Sequence, residues 1–326
     1  PSEMCIRDRL GTMNFSPQYF RSPAPDHTNA LINLSKTPSN HPFVWHRIET
    51  GALLRVAGRF AVSARYFHSL PHQEQGRLRA IAAGLSSYSA VAISAAAAHM
   101  HRLPVAGPAA NAPTEMSLPN NNLPPHDRHI PGIMFRKTRL NQHDIIDGIR
   151  CVNPARAVID VARFHGFISG LIAGDAARAL GITPTDFRRE LEFLGRARNI
   201  QIARRVAELS NPSVRHVGES YARALILSSG LLRPHLNDMK LCTFASTGAL
   251  IGILLNNWLA VEVEDPACGS TQLHASALQQ RDDALRHASY RPLRLRYDDL
   301  TEHPRRTEAL LLSHLKSPGN FGAHAA

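Results

Sequence analysis

The chain has 326 residues, 44% of them hydrophobic and 19% charged, which is enough for two or three domains with their own cores and too apolar for a disordered polymer. No apolar run approaches the roughly 20 residues that cross a bilayer, so no membrane-spanning helix and no membrane partner are expected. The formal net charge of +11, carried mostly by Arg and counted before 18 histidines, points to nucleic acid or another polyanion, although an Arg-rich composition without functional meaning gives the same number.

In chain order, Pro1-Ser-Glu-Met-Cys-Ile-Arg-Asp-Arg9 resembles a translated sequencing adapter, with the native start expected at Met13 or upstream. Residues 1–26 as a whole read as a disordered lead, since Asn14 to Asp26 is rich in Pro and Ser and lacks periodicity. Residues 27–70 read as a winged-helix-like DNA-binding region. Ala30, Leu31 and Leu34 carry a weak helical pattern, Pro38 breaks it, and Phe43, Val44 and Ile48 resume it. The second helix is expected to stop at Gly51, with a strand over Leu53–Val56, a turn at Ala57-Gly58 and a return strand over Arg59–Val62. A helix followed by a basic hairpin is the outline of a winged helix-turn-helix. Arg47 then lies on the helix, with Arg55 and Arg59 on the wing. Ordinary exposed hairpin residues would read the same way.

Residues 71–212 read as a mostly helical middle domain, with helices at Gln73–Ala83, Ser89–Met100, Ala155–Phe164, Ile168–Leu180, Asp186–Leu194 and Ile200–Leu209. The Pro/Asn-rich stretch Ala106–Arg128 is expected as loop, with short strands at Ile133–Arg136 and Ile149–Val152 flanking the polar stretch Lys137–Asp147. Asn153-Pro154 reads as a helix cap with Pro in the first turn. A boundary is expected at Ser210-Asn-Pro-Ser213. Beyond it, residues 213–316 carry the order helix (Gly218–Ser229), strand (Leu250–Leu255), strand (Leu259–Glu264), helix (Leu273–Ala288), strand (Leu293–Tyr297) and a final helix (His303–Leu315). That order suits a compact α/β domain followed by a tail over 317–326. Cys5, Cys151, Cys242 and Cys268 are scattered, and they read as reduced thiols of a cytoplasmic protein rather than a disulfide or zinc framework.

The chemistry concentrates in Trp258-Leu-Ala-Val-Glu262-Val-Glu264-Asp265. Period two places Glu262 and Glu264 on one strand face, where they form either a solvated acidic face or half of a divalent-metal site. The preceding segment, Gly248 to Asn257, offers no carboxylate. Asn256 or Asn257 could lend only a neutral amide oxygen. Glu219, early on the preceding helix, could reach the same place. Arg281 and Asp282, on the following helix, could support it or contact phosphate.

Six fragments in this order resemble the abortive-infection type IV antitoxin group, whose C-terminal part is a restriction-endonuclease-like domain related to very-short-patch repair nucleases. They are Gly51-Ala-Leu-Leu-Arg-Val-Ala-Gly-Arg-Phe-Ala61, Asn153-Pro-Ala-Arg-Ala-Val-Ile-Asp-Val-Ala-Arg163, Gly218-Glu-Ser220, Leu259-Ala-Val-Glu-Val-Glu-Asp265, Arg281-Asp-Asp-Ala-Leu285 and Leu293-Arg-Leu-Arg-Tyr-Asp-Asp-Leu300. The likeness runs from Arg47 to about Leu315. It implies an α/β (α+β) protein with an N-terminal degenerate winged helix, a helical middle domain and a C-terminal restriction-endonuclease-like α-β-β-α-β domain.

Carried over, Glu219 matches the helix glutamate and Glu262 the strand glutamate of the nuclease-like site, with Arg281 and Asp282 supporting. Glu264 stands where the family has Asp or Lys. The Asp of the preceding strand has no counterpart, Asp265 replaces a Gly, and the hairpin between the strands is short. The implied function is a cytoplasmic DNA-binding transcriptional regulator of the antitoxin kind with a catalytically degenerate nuclease-like domain. Its implied partners are DNA and a nucleotidyltransferase-like toxin encoded nearby, and no cofactor is required. The alternative is a Mg²⁺-dependent endonuclease or repair nuclease using Glu219, Glu262 and Glu264, with Glu262 and Glu264 as metal ligands.

Overall fold

The computed structural model describes residues 26–38, 41–106, 112–125, 129–264 and 272–317. The expectations for the lead, for the tail beyond Ser317 and for Asp265 lie outside the described residues. The chain is of mixed α/β class and forms two compact units that divide between Ser210 and Asn211.

In the first unit, β1 (Ile32–Asn33) is followed by α1 (Pro42–Glu49), β2 (Leu53–Ala57) and β3 (Phe60–Ser63), which make a three-stranded antiparallel sheet of order β1-β3-β2. Gly51, with φ +75°, lets the chain leave α1 and enter β2. Leu34, Leu53 and Ala61 are buried together, with Val44, Trp45 and Ile48 of α1 closing over them. The weak pattern around Ala30–Leu34 becomes two 3-10 turns flanking β1 rather than a helix.

The same unit continues through α2 (Ala64–Ser69), α3 (His72–Ser86), β4 (Val91–Ala92), α4 (Ser94–Met100), β5 (Thr114–Ser117), β6 (Ile133–Phe135), β7 (His143–Ile146) and β8 (Ile149–Val152). Four helices end it: α5 (Pro154–His165), α6 (Phe167–Ala179), α7 (Pro184–Leu194) and α8 (Ile200–Leu209). The segment expected to be mostly helical thus also carries a five-stranded sheet of order β6-β5-β4-β8-β7. The apolar run from Ala90 does not make one helix. Ile93 stays extended and donates its N–H to Glu115 O at 3.1 Å, and Ser94, with φ +50°, turns the chain into α4 as its first residue.

Arg156, Asp160 and Arg163 share one face of α5. Both carboxylate oxygens of the fully buried Asp160 are taken, by Arg156 Nε at 2.9 Å and Arg163 Nη1 at 2.7 Å. Asn153 caps the helix by accepting from Arg156 N at 2.9 Å.

The second unit opens with α9 (Val217–Ser228), followed by β9 (Met239–Phe244), β10 (Leu250–Leu255), β11 (Leu259–Glu264), α10 (Gln272–His287), β12 (Arg291–Arg296), α11 (Tyr297–Glu302) and α12 (Pro304–Lys316). Its sheet has the order β12-β11-β10-β9, with β11 and β12 parallel and the other pairs antiparallel. Odd-numbered residues of β10, β11 and β12, including Ile253, Val261 and Leu293, pack with Ala222 and Ile226 of α9 and Leu311 of α12. Leu254 and Ala260 pack with Leu285 of α10 in a separate cluster. The sheet is therefore covered on both faces, and Glu262 shares the parity of Ala260, on the α10 side.

Candidate functional site

Two places in the molecule carry the residues singled out from sequence, one in each unit. In the first unit, Arg47 lies on α1 with its guanidinium 5.3 Å from the centre of the Phe43 ring, one turn earlier. Arg55, on β2, stacks 5.6 Å from the Trp45 ring of the same helix. Both cations are thus gathered onto α1 by aromatic faces, which hold a guanidinium plane while leaving its edge donors available. Arg59 is not gathered with them. It follows Gly58 at the hairpin turn and donates its backbone N–H to Ser86 Oγ at 3.2 Å.

That turn is pinned. Gly58 has φ +56°, donates to Pro131 O at 2.8 Å, and leaves no room for a β-carbon, which would stand 2.0 Å from Ser86 Oγ. The Arg55 and Arg59 side chains are nonetheless exposed, and neither they nor Arg47 has a carboxylate partner among the described residues.

In the second unit, Glu219 sits in the first turn of α9, 3% exposed. Burial opposes its ionisation, but hydrogen bonding and charge from His216 and Arg215 prevail and hold its carboxyl at about 2. Arg215 pairs with Oε1, and the Arg215 backbone N–H donates to Oε2 at 3.1 Å. The carboxylate lies against β10 where that strand has a glycine. A β-carbon on Gly252 would stand 2.4 Å from Glu219 Oε1. Close backbone approach is what a glycine inside a strand signals.

Glu262 is next along the β10–β11 ladder, one residue past the Ile253–Val261 pair. Arg281 of α10 grips its carboxylate in fork geometry, Nε at 2.9 and 2.8 Å from the two oxygens and Nη2 at 2.6 Å from Oε1. The hydrogen bonds to Glu262 lead in holding the Arg281 guanidinium above its ordinary value. Arg294, paired with Glu262 across β11 and β12, adds a contact at 3.4 Å and also pairs with Asp282. Glu264, half-buried, has no ion pair with a described residue.

Glu219, Glu262, Arg281 and Asp282 thus lie in one cluster of ion pairs, while Glu264 stands outside those pairs. Three carboxylates there meet three guanidinium groups, those of Arg215, Arg281 and Arg294. A divalent ion at Glu262 would have to displace Arg281, because ligands must present lone pairs that the fork now occupies. Among the described residues no group of three or more Asp, Glu, His or Cys is placed to hold a metal.

Asn256 and Asn257 do not lend an amide to the cluster. With φ of +51° and +62° they form the hairpin turn itself, and Asn256 Oδ1 accepts from Asn237 N at 2.7 Å.

Three participants were not singled out from sequence, and each had a signal. Arg215 stands four residues before Glu219, a helical-turn spacing. Arg294 alternates with leucines in Leu293-Arg-Leu-Arg296, so it shares a face with its parallel neighbour. Gly252 interrupts an otherwise aliphatic strand. No family model, curated protein or solved structure matches the chain.

Proposed function

We propose that the protein is a DNA-binding regulator of the antitoxin kind whose second unit keeps a nuclease-like architecture without the chemistry. The observation that carries the reading is the fork of Arg281 on Glu262, with Arg294 behind it. Arginine supplies there the positive charge that a metal ion supplies in a working centre. The space of a strand carboxylate at position 252 is filled by Glu219 arriving from α9.

In this reading the region 27–70 is a degenerate winged helix. Its sheet order, β1-β3-β2 with α1 leading into the hairpin, supports that comparison. Arg47 and Arg55 on their aromatic platforms contact phosphates or base edges, and Arg59 contacts the backbone from the hairpin turn. DNA and a toxin encoded nearby are the partners, and no cofactor takes part.

A gel shift on the DNA upstream of the gene tests the binding half. Retardation is expected, with loss in the Arg55→Ala/Arg59→Ala double variant. A shift unchanged by that double substitution contradicts the assignment of the hairpin. A calorimetric titration with Mn²⁺ tests the other half. No saturable heat is expected in the wild type, whereas heat that disappears in Glu262→Gln supports the Mg²⁺-dependent endonuclease instead.

A further inference from the structure

The first unit contains a half-open pocket of about 150 Å³ between α3, α4, β5 and β6, with a mostly apolar wall into which Arg79, His99, Glu115, Arg136 and His165 are set. We propose that it is a binding site for a small ligand bearing a carboxylate or phosphate group, with Arg79 as the residue that receives the anion.

Three observations on side chains carry the assignment. First, the cavity has an unbalanced charge. Glu115 is paired twice, with Arg136 Nε at 2.5 Å and His165 Nε2 at 2.7 Å, so Arg136 and Glu115 cancel. Burial opposes ionisation of Glu115, yet those partners hold it at about 2, and the pairing is a true ion pair. Arg79 remains. Its guanidinium rests 4.9 Å from the Phe67 ring, its Nε is buried without a hydrogen-bond partner, and it has no carboxylate partner among the described residues.

Second, His99 is 94% buried, being 6% exposed, and its Nε2 also lacks a hydrogen bond. Burial, with His72 and His165 nearby, lowers its imidazole to about 3, so it is neutral and carries one donor and one acceptor nitrogen. Third, α3 makes room for that ring. A β-carbon on Gly76 would stand 2.0 Å from His99 Nδ1, so only glycine at this position admits the imidazole to the cavity wall.

Buried polar atoms without partners are rare, and an unpaired guanidinium beside one is costly unless an acceptor arrives. The size argues for a small anion, since sites for drug-sized molecules run to roughly 300–1,000 Å³. Pro113 and Met134 also border a second cavity, lined further by Leu123, Ile133, Phe135 and His129, which leaves room for a mostly apolar body beside the charged head.

The test is a titration of the full chain with sodium phosphate and, separately, sodium acetate, at ionic strength held constant with NaCl. Long-range ¹H–¹⁵N imidazole signals of His99 report occupancy. A saturable shift is expected with one or both anions, and whichever binds more tightly identifies the head group. Arg79→Gln is expected to weaken binding at least about tenfold, the scale of one lost charged hydrogen bond, with most of it restored in Arg79→Lys. Non-saturating shifts equal to those of chloride overturn the site, as does a Gln variant that titrates like the wild type. Should Arg79→Gln not fold, the wild-type titration alone decides between these outcomes.

Discussion

A β-carbon at position 252 would stand 2.4 Å from Glu219 Oε1 and 3.0 Å from its Cδ, so a side chain there and the present position of Glu219 exclude each other. Gly252→Ala is expected to cost about 1–3 kcal/mol, the range for overpacking, because Glu219 must leave both Arg215 and His216. The urea midpoint measures it, and a midpoint within error of wild type would contradict the close approach.

Glu219 also sets a pH dependence. Its folded carboxyl titrates at about 2 against an ordinary 4.5, so the stability it contributes is complete above 4.5 and disappears as the pH falls toward 2. The difference corresponds to about 3 kcal/mol, and Glu115 acts in the same direction. Glu219→Gln should therefore lower stability at pH 6 while flattening its decline between pH 4.5 and 2. Parallel pH profiles for the two proteins would contradict the assignment.

At the scale of elements, α5 shows how buried charge is organised by helical spacing. Arg156, Asp160 and Arg163 stand at i, i+4 and i+7, and all are nearly or fully buried. Asp160→Ala strands two arginines in the core and is expected to cost about 3–5 kcal/mol, read by thermal or urea unfolding, whereas loss under 1 kcal/mol would mean the pair is not held as described.

Elements with a strong local rule were legible in the sequence. The aliphatic strands Leu250–Leu255 and Leu259–Glu264, the capped helix after Asn153, and the stop at Gly51 before a hairpin all follow from periodicity and caps. Elements defined by partners were not. β1 and β4 are two residues long and exist only through pairing. β5 lies in a Pro/Asn-rich stretch that reads as loop, yet it is buried between β4 and β6. β9 escapes because it is an edge strand without clean alternation and turns at Cys242, φ +48°. In the candidate site, the carboxylates and Arg281 were visible as residue types on strand and helix, but the pairing of Arg294 with Glu262 and Asp282 depended on the parallel register of β11 and β12 and on the face that met α10.

At the scale of the whole molecule, a net charge of +11 favours polyanions before any groove is considered. Among the described residues no helix is long and apolar enough to cross a membrane. Binding to DNA should fall steeply with salt, and the slope of log affinity against log salt counts the phosphates neutralised. A flat dependence would mean that the charge serves another partner.

In the proposed reading the second unit keeps the frame of a nuclease while arginine, in place of a metal ion, holds its carboxylates. Supercoiled plasmid incubated with the purified chain and Mg²⁺ or Mn²⁺ tests it most directly. The expected result is plasmid that remains supercoiled over hours with wild type and Glu262→Gln alike. Metal-dependent nicking by the wild type that Glu262→Gln abolishes would show a working metal centre instead.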